Sequence, residues 1–165
     1  MADSNDIGEC NIVLTEYDAL GRVTARTVDM DGNGVRNDSI DAVTTIEYTT
    51  TAGGWLKVIT TAPGGYVHTV EHDSMGRVAT EYDTASCKTQ YSYNDAFGRA
   101  TKVVRGGVMV GSNTYDSVNQ LGSVDVLGRR TRYQYDALNR LTNTVYADGR
   151  HVQTAYAQDS DRVAA

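Results

Sequence analysis

The stretch VDMDGNGVRNDSID, residues 28–41, has the residue types and spacing of a cation loop. Asp29, Asp31 and Asn33 stand at loop positions 1, 3 and 5, Gly34 at 6, the Val35 carbonyl at 7 and Asn37 at 9, the oxygen-donor order of an EF-hand-like calcium loop. Position 12 is Ile40 where such a loop needs a bidentate carboxylate, so Asp38 or Asp41 would have to supply it from a different exit geometry. The strand-like AVTTIEY follows, not a helix. Two readings stand: a calcium site built from Asp29, Asp31, Asn33, Val35, Asn37 and Asp41, or a metal-free turn in which Asx side chains and glycines only shape the backbone.

Other reactive residues carry less. HTVEH, residues 68–72, spells the His-x-x-Glu-His order of one zinc-protease class, which works only on a helix. It lies in the strand pattern YVHTVEHD, where His68 and His72 would stand about 13 Å apart with Glu71 on the opposite face. Trp55 is read as a buried or half-buried strand aromatic in preference to a sugar-stacking platform. Cys10 and Cys87 belong to no metal or CxxC pattern and are read as unpaired thiols. The sequence contains no GxSxG, Walker-type or GxGxxG run, and His151 has no partner that spacing ties to it, so a non-catalytic protein is expected.

The elements that must position these residues announce themselves by repetition. YDALGR (17–22), HDSMGR (72–77), NDAFGR (94–99), VDVLGR (124–129) and YDALNR (135–140) all read Asp, any residue, a large apolar residue, Gly or Asn, Arg. Asp18, Asp73, Asp95, Asp125 and Asp136 can accept backbone N–H bonds and open a tight loop. Gly21, Gly76, Gly98 and Gly128 take a position expected at positive φ, where Asn139 is the next best occupant. Leu20 and its counterparts Met75, Phe97, Leu127 and Leu138 are expected to fold under the loop as plugs. Arg22, Arg77, Arg99, Arg129 and Arg140 open the next strand, with their guanidinium groups in reach of a neighbouring Tyr ring.

The flanks RVTARTV, AVTTIEYTT, RRTRYQY and RLTNTVY are rich in Val, Thr and Tyr and alternate partly with period two, so the fold class is all-β. The loop anchors are 55, 22, 30 and 11 residues apart, and the shortest interval holds one strand and its turn. That spacing gives about a dozen strands of an antiparallel hairpin array. We read residues 1–165 as one array, clearest at 15–28 and 70–149.

Composition limits the partners. With 15 Lys and Arg against 21 Asp and Glu, the net charge of −6 argues against nucleic acid or an anionic membrane surface. No apolar run approaches the roughly 20 residues of a spanning helix, and MADSNDIGEC lacks the regions of a signal peptide. Eleven Tyr against one Phe and one Trp suit a sheet whose faces meet water better than a dry core.

The repeated phrase resembles the YD repeat of the RHS/YD-repeat family, roughly Tyr-Asp-x-x-Gly-Arg-Leu/Val-Thr. YDALGRVT and YDALNRLT match it closely, and the copies at 72, 94 and 124 lack the Tyr before Asp. The resemblance implies a long β-sheet coiled into a hollow shell that encloses or displays a C-terminal toxin or other effector of a secreted or cell-surface bacterial protein. The chain is read as a segment of such a shell, with flanking repeats or the effector as partners and self-association through sheet edges. The alternative is a calcium-dependent adhesion or carbohydrate-binding surface with a glycan partner.

Overall fold

The structure, a computed structural model, describes residues 12–157. The Val-, Thr- and Tyr-rich segments are strands, and the chain groups into two compact units that divide after Ser86. The first contains β1 (Ile12–Tyr17), β2 (Val23–Asp29), β3 (Ala42–Thr50), β4 (Leu56–Thr61), β5 (Val67–His72) and β6 (Val78–Tyr82). The second contains β7 (Lys88–Ser92), β8 (Lys102–Arg105), β9 (Val108–Tyr115), β10 (Gln120–Asp125), β11 (Arg130–Tyr135), β12 (Leu141–Val145) and β13 (His151–Gln153). Within each unit every strand pairs antiparallel with its sequence neighbour, as Ala25 with Thr45 and Gly122 with Arg132 illustrate. The all-β hairpin array expected from the spacing is the fold observed.

Hairpin loops of one kind drive this meander. In the loop at 18–22, Asp18 N–H donates to the Arg22 carbonyl at 2.9 Å and Gly21 N–H to the Asp18 carbonyl at 3.0 Å. The same pair of bonds closes the loops that begin at Asp73, Asp125 and Asp136. Such a loop is a tight turn followed by one left-handed residue, and it leaves a bulge in the strand beside it. The register indeed shifts between Glu16 and Tyr17, between Glu71 and His72, and between Gln134 and Tyr135.

The interior is nearly without apolar side chains. Among the described residues Ala25 is the one buried apolar residue, whereas Thr27, Asp29, Asp41 and Thr80 are buried polar ones. Hydrogen-bonded ladders and cross-strand pairs therefore contribute more here than a dry core does.

Candidate functional site

The Asp of each repeated turn is its organising group. Asp18 Oδ1 accepts the N–H groups of Leu20 and Arg22, both at 2.9 Å, and Oδ2 accepts Arg22 Nε at 2.7 Å. Asp73, Asp125 and Asp136 repeat this set toward Met75 and Arg77, Leu127 and Arg129, and Leu138 and Arg140. Asp95 adds a fork, with Arg99 Nε on Oδ2 and Nη2 on Oδ1, each at 2.9 Å. Those side-chain bonds from Arg99, then its N–H and that of Phe97, hold the Asp95 carboxyl down at about 2 against the opposing effect of burial. For Asp18 the Arg22 N–H is the largest cause of a downward shift, and for Asp73 it is the Arg77 side chain.

The residue after the apolar tip is left-handed in each copy: φ is 75° at Gly21, 78° at Gly76, 72° at Gly98, 76° at Gly128 and 61° at Asn139. The tip residues themselves depart from the sequence reading. Leu20 is 77% exposed, Met75 73%, Phe97 65%, Leu127 72% and Leu138 59%. They do not plug the loop, because the space beneath it is taken by the Asp carboxylate and the N–H groups it binds.

A relay links successive turns. Arg99 stacks 4.3 Å over the Tyr115 ring, while Tyr115 Oη donates to the Ala100 carbonyl at 3.2 Å. Arg140 lies 4.6 Å over Tyr156, whose Oη donates to the Leu141 carbonyl at 3.0 Å. Tyr135 Oη reaches the Gln120 carbonyl at 2.9 Å, and Arg22 covers Tyr48 at 4.3 Å. Arg99 also donates to the carbonyls of Asp116 and Val118, and Asn119 Nδ2 donates to Asn139 Oδ1 at 2.8 Å. At Arg22, Arg99 and Arg140 the Arg that closes one loop thus clamps a Tyr ring farther along the chain.

Two further YD turns escape the Gly-Arg signature. Tyr82-Asp83 opens a turn in which Ser86 N–H donates to the Asp83 carbonyl at 2.8 Å and Ser86 has φ 58°. Tyr115-Asp116 opens a shorter one, with Asp116 Oδ1 accepting Val118 N–H at 2.7 Å and Asn119 N–H at 2.6 Å. The Tyr-Asp dipeptide alone was the signal for both.

In the 29–41 loop the structure brings Asp29, Asp31 and Asp41 together, with one carboxylate oxygen of each within 4.8 Å of the others. This acidic cluster is able to coordinate a metal ion. Asp29 accepts Gly32 N–H on Oδ1 and Gly34 N–H on Oδ2, each at 2.7 Å. Asp41 accepts Met30 N–H at 3.0 Å and Asn37 N–H at 2.7 Å. The Gly34 N–H is the first cause that holds Asp29 below the usual carboxylate range, with burial opposing it. Asn33 Oδ1 accepts Val35 N–H, Asn37 Oδ1 accepts from Ser39, and Asp38 pairs with Arg36 at 2.5 Å. Val35 and Ile40 are exposed.

The remaining candidates are placed apart. His68, Glu71 and His72 lie along β5, and Glu71 approaches Lys57 Nζ at 3.9 Å. Trp55 sits in the 51–55 turn, 42% exposed, and not on a strand as expected: its carbonyl closes the turn by accepting Thr51 N–H at 2.8 Å, so β4 begins one residue later. Cys87 is half-buried just ahead of β7, and Cys10 lies outside the described residues.

Residues 115–151, which carry the Tyr115-to-Tyr135 relay, match the family model of the RHS repeat. This segment is an RHS repeat. The array is similar to a solved structure described as the crystal structure of TcdB2-TccC3-TEV, with a TM-score of 0.59 and 15% identity over 85% of this chain. The match spans 8% of that chain's length, and at this identity the likeness is one of fold. No curated protein matches the array.

Proposed function

We propose that this RHS/YD array, continuous over residues 1–165, is a non-catalytic structural segment of a shell. The shell would enclose or display a C-terminal effector of a secreted or cell-surface protein, with flanking repeats as its neighbours. The observation that carries the reading is the Asp–Arg–Tyr relay. At Arg22, Arg99 and Arg140 it ties a turn to a Tyr on a later strand or segment, so stability is shared between neighbours as in a solenoid. It spends the charged groups of the repeat on ion pairs and backbone bonds at the sheet ends. The fold-level likeness to TcdB2-TccC3-TEV supports the same reading. Limited proteolysis of the parent polypeptide tests it. A segment C-terminal to the array should survive protease levels that digest it when it is expressed alone, and equal cleavage rates in both forms would refute enclosure.

The Asp29–Asp31–Asp41 cluster supports a second reading, in which calcium is the ion held and orders residues 29–41 for adhesion or carbohydrate binding. Exposed Trp55 would then serve as a stacking platform. Millimolar calcium added after chelation should raise the melting temperature, and Asp41→Asn should abolish the rise. An unchanged melting curve would leave the metal-free turn. Glycan-array binding with and without calcium tests the ligand class.

A further inference from the structure

The acids and the cations of the second unit are placed differently. Its acids sit mainly in the turns, where Asp95, Asp125, Asp136 and Asp148 are paired with Arg99, Arg129, Arg140 and Arg150. Lys102, Arg130 and Arg132 are strand residues, all exposed, and no side chain of the three has an ion pair or hydrogen bond among the described residues. The register puts them on one face. Lys102 opposes Ser112, Ser112 opposes Val124, and Val124 opposes Arg130, while Thr114, Gly122 and Arg132 form the next row. Along these two rows, and at Val145 and His151 where the second continues, no carboxylate occurs. In a chain of net charge −6 this is a local reversal of sign.

The same face holds a recess of about 270 Å³ between β9, β10 and β11. Its floor is Gly122, where a Cβ would stand 3.0 Å from the Thr131 carbonyl oxygen and 3.2 Å from Thr114 Oγ1, so a larger residue would force those neighbours to shift by a few tenths of an ångström. Leu121, at the register shift between Gln120 and Gly122, lines the recess together with Arg130 and Arg132. Hydroxyls of Ser112 and Thr114 and the apolar Val124 complete it.

We infer that this recess binds an acidic peptide in extended conformation. Arg130 and Arg132 are two residues apart on one strand, which sets them about 6.6 Å apart, the spacing of alternate side chains on an extended chain. A planar guanidinium takes a carboxylate as a fork, and two forks at that spacing suit carboxylates at alternate positions better than one compact phosphate. Leu121 and Val124 receive the methylene stems and the hydroxyls serve the remaining oxygen lone pairs. Lys102 extends the positive face along the row toward β8. The inference stands independently of the shell reading.

Titration of the isotopically labelled chain with hexaglutamate, followed by amide and Arg Nε–H nuclear magnetic resonance, tests it. Shifts should cluster at Ser112, Thr114, Gly122 and the two arginines. Arg130→Gln with Arg132→Gln should weaken binding about tenfold or more, the double Arg→Lys variant should weaken it less, and Arg26→Gln on the first unit should leave it unchanged. Retained peak dispersion in each variant shows that it folds. The inference fails if the double Gln variant binds as the parent does, or if Arg26→Gln weakens binding equally. Displacement of the peptide by an equal concentration of inorganic phosphate would also overturn it, because the site would then be a general oxyanion site.

Discussion

Replacement of Gly76 isolates the backbone requirement of the repeated turn. Gly76 has φ 78°, and a Cβ built on it meets no atom within 4 Å. A Cβ there therefore clashes with nothing, and the main cost of the substitution is the left-handed backbone. For an L-residue that cost is about 1–2 kcal/mol, with a β-branched residue at or above the upper end and Asn at or below the lower end. At a urea m-value of about 2 kcal/mol/M, Gly76→Val should lower the unfolding midpoint by about 0.5–1 M, Gly76→Ala by an intermediate amount and Gly76→Asn least. Circular dichroism at 218 nm across a urea series, roughly the β-sheet minimum, reads the midpoints. Asn139→Gly is the complementary change: it relieves the φ of 61° but removes the acceptor for Asn119 Nδ2, so the midpoint should stay close to the parent value. A Val variant that unfolds with the parent, or an Asn variant as damaged as Val, would refute the claim that the turn needs a left-handed residue at this position.

Acid should weaken the turns through the same carboxylates. Asp95 titrates at about 2 in the folded chain and near 3.9 when unfolded, so its contribution is complete above about pH 4 and is lost as pH falls through 2. The melting temperature should drop across that window, and Asp95→Asn should reduce the drop; an unaltered pH profile in the variant counts against the Arg99 fork. Tyr115→Phe, which removes only the bond to the Ala100 carbonyl, should destabilise by about 0.5–1.5 kcal/mol in chemical denaturation, whereas no change would break the relay argument. β1 pairs only with β2 among the described residues and contains no proline, so the isolated chain should self-associate through that edge. Light scattering should show association that rises with concentration and falls in Val13→Lys, and a strictly monomeric parent would end the edge model.

The turns were legible because their causes are local. Asp18 to Arg22 are five consecutive residues, and the carboxylate, the left-handed glycine and the closing Arg act on a backbone within one loop, so residue types in order are enough to specify it. The same holds for the strand flanks, whose period-two alternation is a property of each segment alone. The acid loop was legible only in part: its Asx and Gly spacing is local, but Asp41 joins Asp29 because β2 and β3 pair in a register that sets Val28 opposite Ala42. The outward aim of Leu20 and Phe97, the stacking of Arg99 on Tyr115 sixteen residues later, and the meeting of Arg130, Arg132 and Gly122 in one recess all depend on which residues stand across from one another. A slip of one residue in a strand pairing moves every side chain to the other face, so those contacts exist only once the long-range ladder has been formed. Residue types and their spacing thus determined the turns and the all-β class, and the tertiary pairing decided which side chains meet.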